Sequence, residues 1–233
     1  MLRPKGKIYR EQDPNFRWRG NDVTRIENLS DIVFALSLGL LVTGNAAPST
    51  YPELLSHMAN IPAVAFAMAI LLLIWNFHFI YFRRYGLGDQ RTVLLNGVLL
   101  FLVLAFAHPL KFMSDVMMAV IMAMFGQPDA FVRYQIDFAN TGKLLAIYSV
   151  IYFCIFMVIY FMYRHAFNCS EKLQLTPTES KLTKDAMHNC LLQAMFGVAA
   201  ALIAYYTPLG PLAGMVYILI GPAVWLMDKI KSK

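Results

Sequence analysis

The sequence is short of charge: only 15% of its 233 residues are Asp, Glu, Lys or Arg, whereas 58% are hydrophobic. This balance excludes an ordinary soluble domain and indicates a chain that is solvated by a lipid bilayer. Cysteine is equally scarce, and Cys154, Cys169 and Cys190 indicate neither a disulfide nor a metal cluster. The first twenty residues are polar and basic without an apolar core, so we predict no cleaved signal peptide.

Long apolar runs separated by polar residues recur along the chain. Each is about 20 residues long, enough to cross a hydrocarbon core of about 30 Å. The runs predict six transmembrane helices, at 24–44, 61–82, 92–113, 143–163, 186–206 and 209–227. We therefore expect an all-α integral membrane protein with one six-helix domain over residues 22–228. Short basic tails at 1–21 and 229–233 flank this domain.

The basic residues alternate between the two sides of this arrangement. Seventeen of the 20 fall in the tails and in every second loop, and the other three are Lys111, Arg133 and Lys143. Because Lys and Arg accumulate on the cytoplasmic side of a membrane protein, both termini are predicted to be cytoplasmic. The net charge of +6 then reflects membrane orientation, and no nucleic-acid partner is expected.

The third apolar run continues to Phe125 and would be about 50 Å long as a single helix, longer than the bilayer is thick. Pro109 therefore predicts a break. Beyond it an apolar stripe at helical spacing predicts an amphipathic helix, which either lies at the membrane surface or packs against its own bundle. The stripe consists of Met113, Val116, Met117, Val120, Ile121 and Met124.

The fifth apolar run is preceded by a helix start signal in the stretch from Asn168 to Asp185. Thr176 can cap a helix, and Pro177 suits its first turn. We predict a capped start to helix five on the cytoplasmic side.

Polar side chains lie inside the first three predicted spans, where they are costly unless they are paired. Asp31 is about 9 Å inside Arg25, so we expect it to face the bundle interior and to have a partner. His78 on helix two and Asn96 on helix three fall at a similar depth. The predicted layer consists of Ser30, Asp31, His78 and Asn96. Three roles are open for this layer. It fixes helix packing by hydrogen bonds, or it supports a gate around a pore, or it relays protons through His78 and Asp31.

Helix one carries a second pattern on another face. Asp31 points about 140° away from an apolar stripe whose members fall within about 40° of one line. These members are Arg25, Leu29, Ile32, Leu36, Leu40 and Thr43. The stripe either faces lipid or packed core, or it lines a pore in which four copies would form leucine rings that narrow the path by sterics and dewetting.

These residues carry a resemblance to a known family. The stretch Arg25–Val42, R-I-E-N-L-S-D followed by an apolar run, resembles the first-helix signature R-x-x-x-F-S-D of the transmembrane protein 175 family. Trp75 with His78 resembles the W-x-x-H element of that family. The sequence Leu94-Leu-Asn96, with Pro109 downstream, resembles its third-helix L-x-N and proline. Together these motifs cover roughly residues 24 to 110.

The resemblance implies a potassium-selective or potassium-leaning cation leak channel, and neither an enzyme nor a cofactor-binding protein. It implies a homotetramer in which helix one lines the pore, with potassium as the permeant ion. Its apolar constriction falls on Leu36 and Leu40, with Thr43 one turn further out, and Ser37 and Thr43 offer hydroxyls. Its buried hydrogen-bond network falls on Arg25, Ser30, Asp31, Trp75, His78 and Asn96. The sequence has no T-V-G-Y-G filter and no Arg-rich voltage-sensing helix, in agreement with the family.

The sequence departs from the family pattern beside the constriction. Leu29 replaces the Phe of the motif, Ile32 replaces a small residue, and Gly39 replaces a Thr. These changes leave the preference for potassium over sodium open. Animal relatives in lysosomes carry two six-helix units, so a single unit implies the plasma membrane of a prokaryote.

Two other function classes are alternatives to a channel. A proton-coupled secondary transporter would use Asp31 and His78, but paired Gly/Pro breaks in corresponding halves are not seen. A membrane enzyme would need clustered catalytic groups near an interface. His57, His165 and His188 lie near one without suitable companions.

Overall fold

The computed structural model describes residues 15–20, 22–43, 49–51, 54–55, 58, 61–126, 129, 138–207 and 210–231. Over these residues the protein is helical and contains no strand, which confirms the all-α prediction. The α-helices are α1 (Arg25–Thr43), α2 (Ile61–Tyr85), α3 (Gln90–Met124), α4 (Phe138–Asn168), α5 (Ser170–Leu173), α6 (Pro177–Tyr206) and α7 (Ile220–Lys231). A 3-10 helix, Gly210–Leu219, leads directly into α7.

Four of the described helices are long and apolar enough to cross a membrane. They are α2, the Gln90–Ala107 part of α3, the Asn140–Asn168 part of α4, and α6. A shorter apolar stretch, Leu212–Val224, spans the junction between the 3-10 helix and α7. These helices agree with four of the six predicted crossings, and the count of six stays a prediction.

Helix α3 differs from the prediction. It is one continuous helix of 35 residues with Pro109 inside it, so the predicted break at this proline is wrong. A proline in a helix removes one backbone hydrogen bond, but neighbouring helices can compensate for this loss in a membrane protein. Beyond the proline, Val116, Met117 and Val120 are buried, and α3 contacts α4 and the 3-10 helix. Of the two alternatives for the apolar stripe, packing against its own bundle is therefore the one observed.

Among the described helices, α4 and α6 have the most extensive contact with each other, and both extend beyond their predicted bounds. At Gly197 of α6, an added Cβ would come within 3.0 Å of the Ser149 carbonyl oxygen of α4, so the glycine permits the close approach. Helix α6 starts at Pro177 with a capping box between Thr176 and Glu179, which confirms the predicted start signal. Hydropathy detects only the apolar part of a helix, so the predicted spans of α4 and α6 are shorter than the helices themselves.

A cluster of aromatic rings fills the end of the bundle at which α2 ends and α3 begins, which we call the α2–α3 end. Tyr81, Tyr85 and Tyr163 are each about 1% exposed, and their ring centroids lie 5.3 to 5.8 Å apart. The buried hydroxyl of Tyr85 is hydrogen-bonded to Thr183 of α6 at 2.8 Å. These contacts tie α2, α4 and α6 together where the chain passes from one helix to the next.

The described part of the basic N-terminal stretch is built into this same end. Phe16 is buried against Tyr85, with ring centroids 5.5 Å apart. Arg19 donates two hydrogen bonds to the Glu179 carboxylate, at 3.1 and 2.9 Å. The backbone N–H groups of Arg19 and Gly20 both donate to the Arg83 carbonyl oxygen at 3.1 Å. Residues 15–20 therefore link the start of α6 to the end of α2.

Candidate functional site

Helix α1 buries one face and leaves the opposite face open. It packs against α2 and α3. The buried side chains recur every three or four residues, as the spacing of one helix face requires. They are Glu27, Ser30, Phe34, Ser37 and Leu41. On the opposite face Leu29, Ile32 and Leu36 are 55%, 65% and 55% exposed, so this face presents large apolar side chains that the subunit does not cover.

The residues predicted to form a pore wall are split between these two faces. Leu36 lies on the open face and Leu40 is half-buried at its edge. Thr43 ends α1, but its side chain lies outside the described residues. Ser37 lies on the buried face, where its hydroxyl donates to the Val33 carbonyl oxygen at 2.8 Å. Within the subunit, Ser37 therefore does not share a face with Leu36.

Three of the predicted polar residues meet in the interior. The Asn96 side-chain amide of α3 donates to the Ser30 hydroxyl of α1 at 3.0 Å, and its carbonyl oxygen lies 2.9 Å from His78 Nε2 of α2. All three side chains are at least 97% buried. A buried polar group is costly unless it is hydrogen-bonded, so this set of contacts fixes the relative positions of three helices. We call it the Ser30–Asn96–His78 triad.

Asp31 is not part of this triad. It is exposed, and the Trp75 indole N–H donates to its carboxylate at 3.0 Å. The prediction that Asp31 has a partner is confirmed, whereas the prediction that it faces the interior of the bundle is wrong for the subunit. Neighbouring residues of an α-helix are rotated by about 100°, so a helix that turns Ser30 fully inward carries Asp31 to the rim of its buried face.

A buried ion pair beside the triad was not predicted. Glu27 of α1 and Arg83 of α2 form a salt bridge, and their side chains are 7% and 10% exposed. Arg83 also donates to the Gly20 carbonyl oxygen at 2.8 Å, and Glu27 accepts from the Thr24 N–H at 3.0 Å. The signal available in the sequence was the spacing of Glu27 from Ser30 and Phe34. In the sequence, Arg83 is only one of the basic residues that indicate membrane orientation.

Arg25, which the resemblance placed in the same network, lies elsewhere. It is exposed at the start of α1, on the open face with Leu29, and in the described part of the chain it makes no hydrogen bond or ion pair. Within the described ranges, no group of three or more His, Cys, Asp or Glu side chains could hold a metal ion. The arrangement is suited to holding helices in place, with an apolar surface left over.

Comparison with known proteins identifies the family. The family model of the endosomal/lysosomal potassium channel TMEM175 matches residues 25–106. A potassium channel of Marivirga tractuosa is 33% identical over 228 residues, which cover 95% of this chain and 92% of that protein. The chain belongs to the TMEM175 potassium-channel family.

Solved structures of the family share the fold. A crystal structure of a variant of the potassium channel MtTMEM175, in complex with a nanobody fusion protein, matches with a TM-score of 0.80 and 32% identity. The match covers 94% of this chain and 98% of that one. A lysosomal potassium-selective channel TMEM175 homologue from Chamaesiphon minutus matches with a TM-score of 0.52 and 20% identity, over 85% of this chain and 94% of that one.

The family assignment confirms an ion-channel membrane protein and agrees with the prediction that the protein is not an enzyme. The matched stretch, residues 25–106, runs from the first residue of α1 into α3. It contains the open face of α1, the Ser30–Asn96–His78 triad, the Asp31–Trp75 contact and the Glu27–Arg83 ion pair. These contacts therefore lie in the part of the chain that the family model matches.

Proposed function

We propose that this protein is a potassium-leaning cation leak channel, through which ions pass passively along a pore lined by α1 from four identical subunits. The observation that carries the proposal is the open face of α1. This face begins at Arg25 and exposes more than half of each of the side chains of Leu29, Ile32 and Leu36. The relative from Marivirga tractuosa is named a potassium channel, and the solved relatives are potassium channels.

The constriction is assigned to Leu36 and Leu40, with Thr43 as the next residue outward. Four copies of the open face around one axis would place leucine rings along the path. Such rings narrow a pore by sterics, and they expel water from it, because an apolar ring offers ions no substitute for their hydration shells. Gly39 lies between the leucines, and a Cβ added there would meet nothing within 4 Å.

The polar contacts of α1 support this channel without touching the ion. Since the triad and the Glu27–Arg83 pair lie on the buried face, they fix how far α1 is rotated about its own axis. A rotation of one residue is about 100°, and it would move a different set of side chains into the pore. We assign these groups the role of a brace.

The geometry favours a channel over a proton-coupled transporter. A relay through Asp31 and His78 would require the two groups to exchange a proton directly or through one intermediary. In the subunit Asp31 is paired with Trp75 on the exposed rim, whereas His78 is paired with Asn96 in the interior. The two side chains therefore have separate partners.

We further infer that the subunit crosses the membrane six times, with both termini in the cytoplasm of a prokaryote. Four apolar helices supply four crossings. The remaining two are assigned to α1 and to the 3-10 helix with α7. The distribution of basic residues supports this orientation, since 17 of 20 fall on the side that holds the termini.

Flux into liposomes tests the proposal. Purified protein is reconstituted, a potassium gradient is imposed, and flux is compared with that of Leu36→Ala and Leu202→Ala. These leucines are 55% and 53% exposed, on α1 and α6 respectively. We expect Leu36→Ala to change the potassium flux or the ratio of potassium to sodium flux by about tenfold or more, because widening an apolar constriction lowers the cost of wetting it. Leu202→Ala should behave like the wild type.

The same liposomes separate the channel from the transporter. Potassium flux should persist when no proton gradient is imposed. It should also persist when a protonophore is added, and both measurements are made in buffer without valinomycin. A wild-type flux that appears only with a proton gradient would overturn the proposal. Equal effects of the two leucine substitutions would show that α1 does not line the pore.

A further inference from the structure

A cleft outside the proposed pore lies at the α2–α3 end of the bundle, between the first turns of α3 and the last turns of α4. Its volume is about 390 Å³. On the α3 side it is lined by Arg91, Leu94 and Leu95. These residues are spaced i, i+3 and i+4, so they share one helix face, with the arginine at the helix end and the leucines one turn further into the apolar span.

The α4 side of the cleft has the same arrangement, but along the chain the apolar residue comes first and the cationic and polar residues follow. Phe161, Arg164, His165 and Asn168 line it at i, i+3, i+4 and i+7, which again is one helix face. Here the chain leaves the apolar span, so Phe161 lies deepest and Asn168 lies at the helix end. Both walls of the cleft therefore place cationic and polar groups at the end of the bundle and apolar groups deeper.

The two arginines are available for a ligand. Arg91 and Arg164 are exposed, and among the described residues neither guanidinium has a hydrogen bond or an ion pair. The nearby carboxylate of Asp89 is already engaged. It accepts from the Thr92 N–H at 3.2 Å and from the Thr92 hydroxyl at 2.5 Å, and it lies 2.7 Å from His165 Nε2. Asp89 thus caps α3 and pairs with the imidazole.

The charge state of Asp89 agrees with its contacts to Thr92 and His165. Partial burial raises the pKa of the carboxyl, but the hydrogen bonds from Thr92 and His165 outweigh this effect, and the net pKa is lower than the ordinary value. Asp89 is therefore ionised near neutral pH, and its negative charge is directed at the helix N-terminus and at His165.

We propose that this cleft binds the headgroup of an anionic phospholipid, with the phosphate between Arg91 and Arg164. Guanidinium groups match phosphate oxygens in a bidentate geometry. Basic pockets between transmembrane helices at a membrane surface are suited to anionic headgroups. The apolar part of the cleft distinguishes a lipid from a free anion: Leu94 and Phe161 are 69% and 43% exposed, and they continue from the arginines toward the apolar span, where an acyl chain would lie.

Native mass spectrometry of the detergent-solubilised protein tests the site. The probes are phosphatidylglycerol, phosphatidylcholine and inorganic phosphate, each titrated separately. We expect phosphatidylglycerol to bind more tightly than phosphatidylcholine. Arg91→Gln/Arg164→Gln should weaken phosphatidylglycerol binding about tenfold or more, because the charge-assisted hydrogen bonds from both guanidinium groups to the phosphate are lost. Lys172→Gln/Lys181→Gln removes the same charge from exposed positions at the same end of the bundle and should retain the wild-type affinity.

Three outcomes would overturn the site. Equal weakening by the two double variants would indicate diffuse attraction to the charged surface. Equal affinity for phosphatidylglycerol and phosphatidylcholine would show that the net charge of the headgroup does not contribute to binding. Binding of inorganic phosphate as tight as that of phosphatidylglycerol would make this an anion site rather than a lipid site.

A second double variant guards against misfolding. Arg91→Lys/Arg164→Lys keeps both charges but removes the bidentate geometry, and it should bind phosphatidylglycerol with an affinity between those of the wild type and the glutamine variant. If it binds phosphatidylglycerol as tightly as the wild type while eluting as a single folded species, charge alone accounts for binding, and specific bidentate recognition of the phosphate by the arginines is disproved. Because the readout is lipid binding, its result is independent of ion flux.

Discussion

Glu27 and Arg83 place two opposite charges inside the bundle, where α1 begins and α2 ends. Removing ions from water is expensive, and the attraction between them compensates only while both are present and hydrogen-bonded. Here both conditions hold, since Arg83 also bonds to Gly20 and Glu27 to Thr24. The pair therefore contributes more to the position of α1 than to net stability.

This gives a prediction at the residue scale. Glu27→Gln or Arg83→Gln alone should lower the free energy of unfolding by about 3–5 kcal/mol, because each leaves one buried charge without its partner. The double variant should lose clearly less than the sum of the two. Thermal unfolding of the protein in detergent measures the loss, with exposed Asp22→Asn as the control. Additive losses would show that the two side chains do not act as a pair.

Residue depth was predictable from the sequence, and rotation was predictable only in part. Counting along each span placed Ser30, His78 and Asn96 in one layer, where the structure has them. The same count also put Asp31 there, because depth does not distinguish residues that differ by 100° in direction. The missing information was which face of α1 meets α2 and α3, and this depends on tertiary packing.

At the element scale, α4 and α6 owe their close approach to a glycine. Hydropathy predicts that both helices exist but not how long they are, since their polar ends carry no hydropathy signal. It also could not show that Pro109 lies within a continuous helix. Whether a proline breaks a helix depends on the neighbours that stabilise the freed backbone groups, and here α4 and the 3-10 helix flank the part of α3 that follows Pro109.

Two glycines test the packing of these helices. An added Cβ at Gly197 meets the backbone of α4 at 3.0 and 3.1 Å, whereas at Gly97 of α3 it meets nothing within 4 Å. We expect Gly197→Ala to lower the free energy of unfolding by about 1–3 kcal/mol, because α4 has to move away. Gly97→Ala should be neutral or stabilising by up to about 1 kcal/mol, since alanine favours a helix. Thermal unfolding of the two variants measures the difference, and similar melting temperatures would contradict close α4–α6 contact.

At the scale of the whole molecule, the open face of α1 is an incomplete surface. A single subunit leaves it uncovered over several turns, and the proposed pore exists only when further copies complete it. The family could be predicted from motifs in the sequence. The number of copies could not, because the residues that would meet a second subunit look the same as residues that meet lipid.

Assembly is tested by cross-linking. With Cys154, Cys169 and Cys190 replaced by alanine, Leu36→Cys should form disulfide-linked dimers on oxidation, because residues near a symmetry axis approach one another. Leu202→Cys, on α6, should not. Native mass spectrometry should give about four times the 26.4 kDa subunit mass. Cross-linking at both positions, or a monomeric mass, would contradict a central α1.

The 3-10 helix before α7 makes this part of the chain longer than an α-helix of the same number of residues would be. Ten residues rise about 20 Å in this form and about 15 Å as an α-helix. Rewinding them would shorten the segment by about 5 Å and turn α7 by about 200° relative to Gly210, since each residue would then advance by about 100° instead of 120°. It would also move Tyr217 from its contact with Tyr152, where the ring centroids are 4.9 Å apart. The winding of Gly210–Leu219 therefore sets both the length of this segment and the direction in which α7 faces.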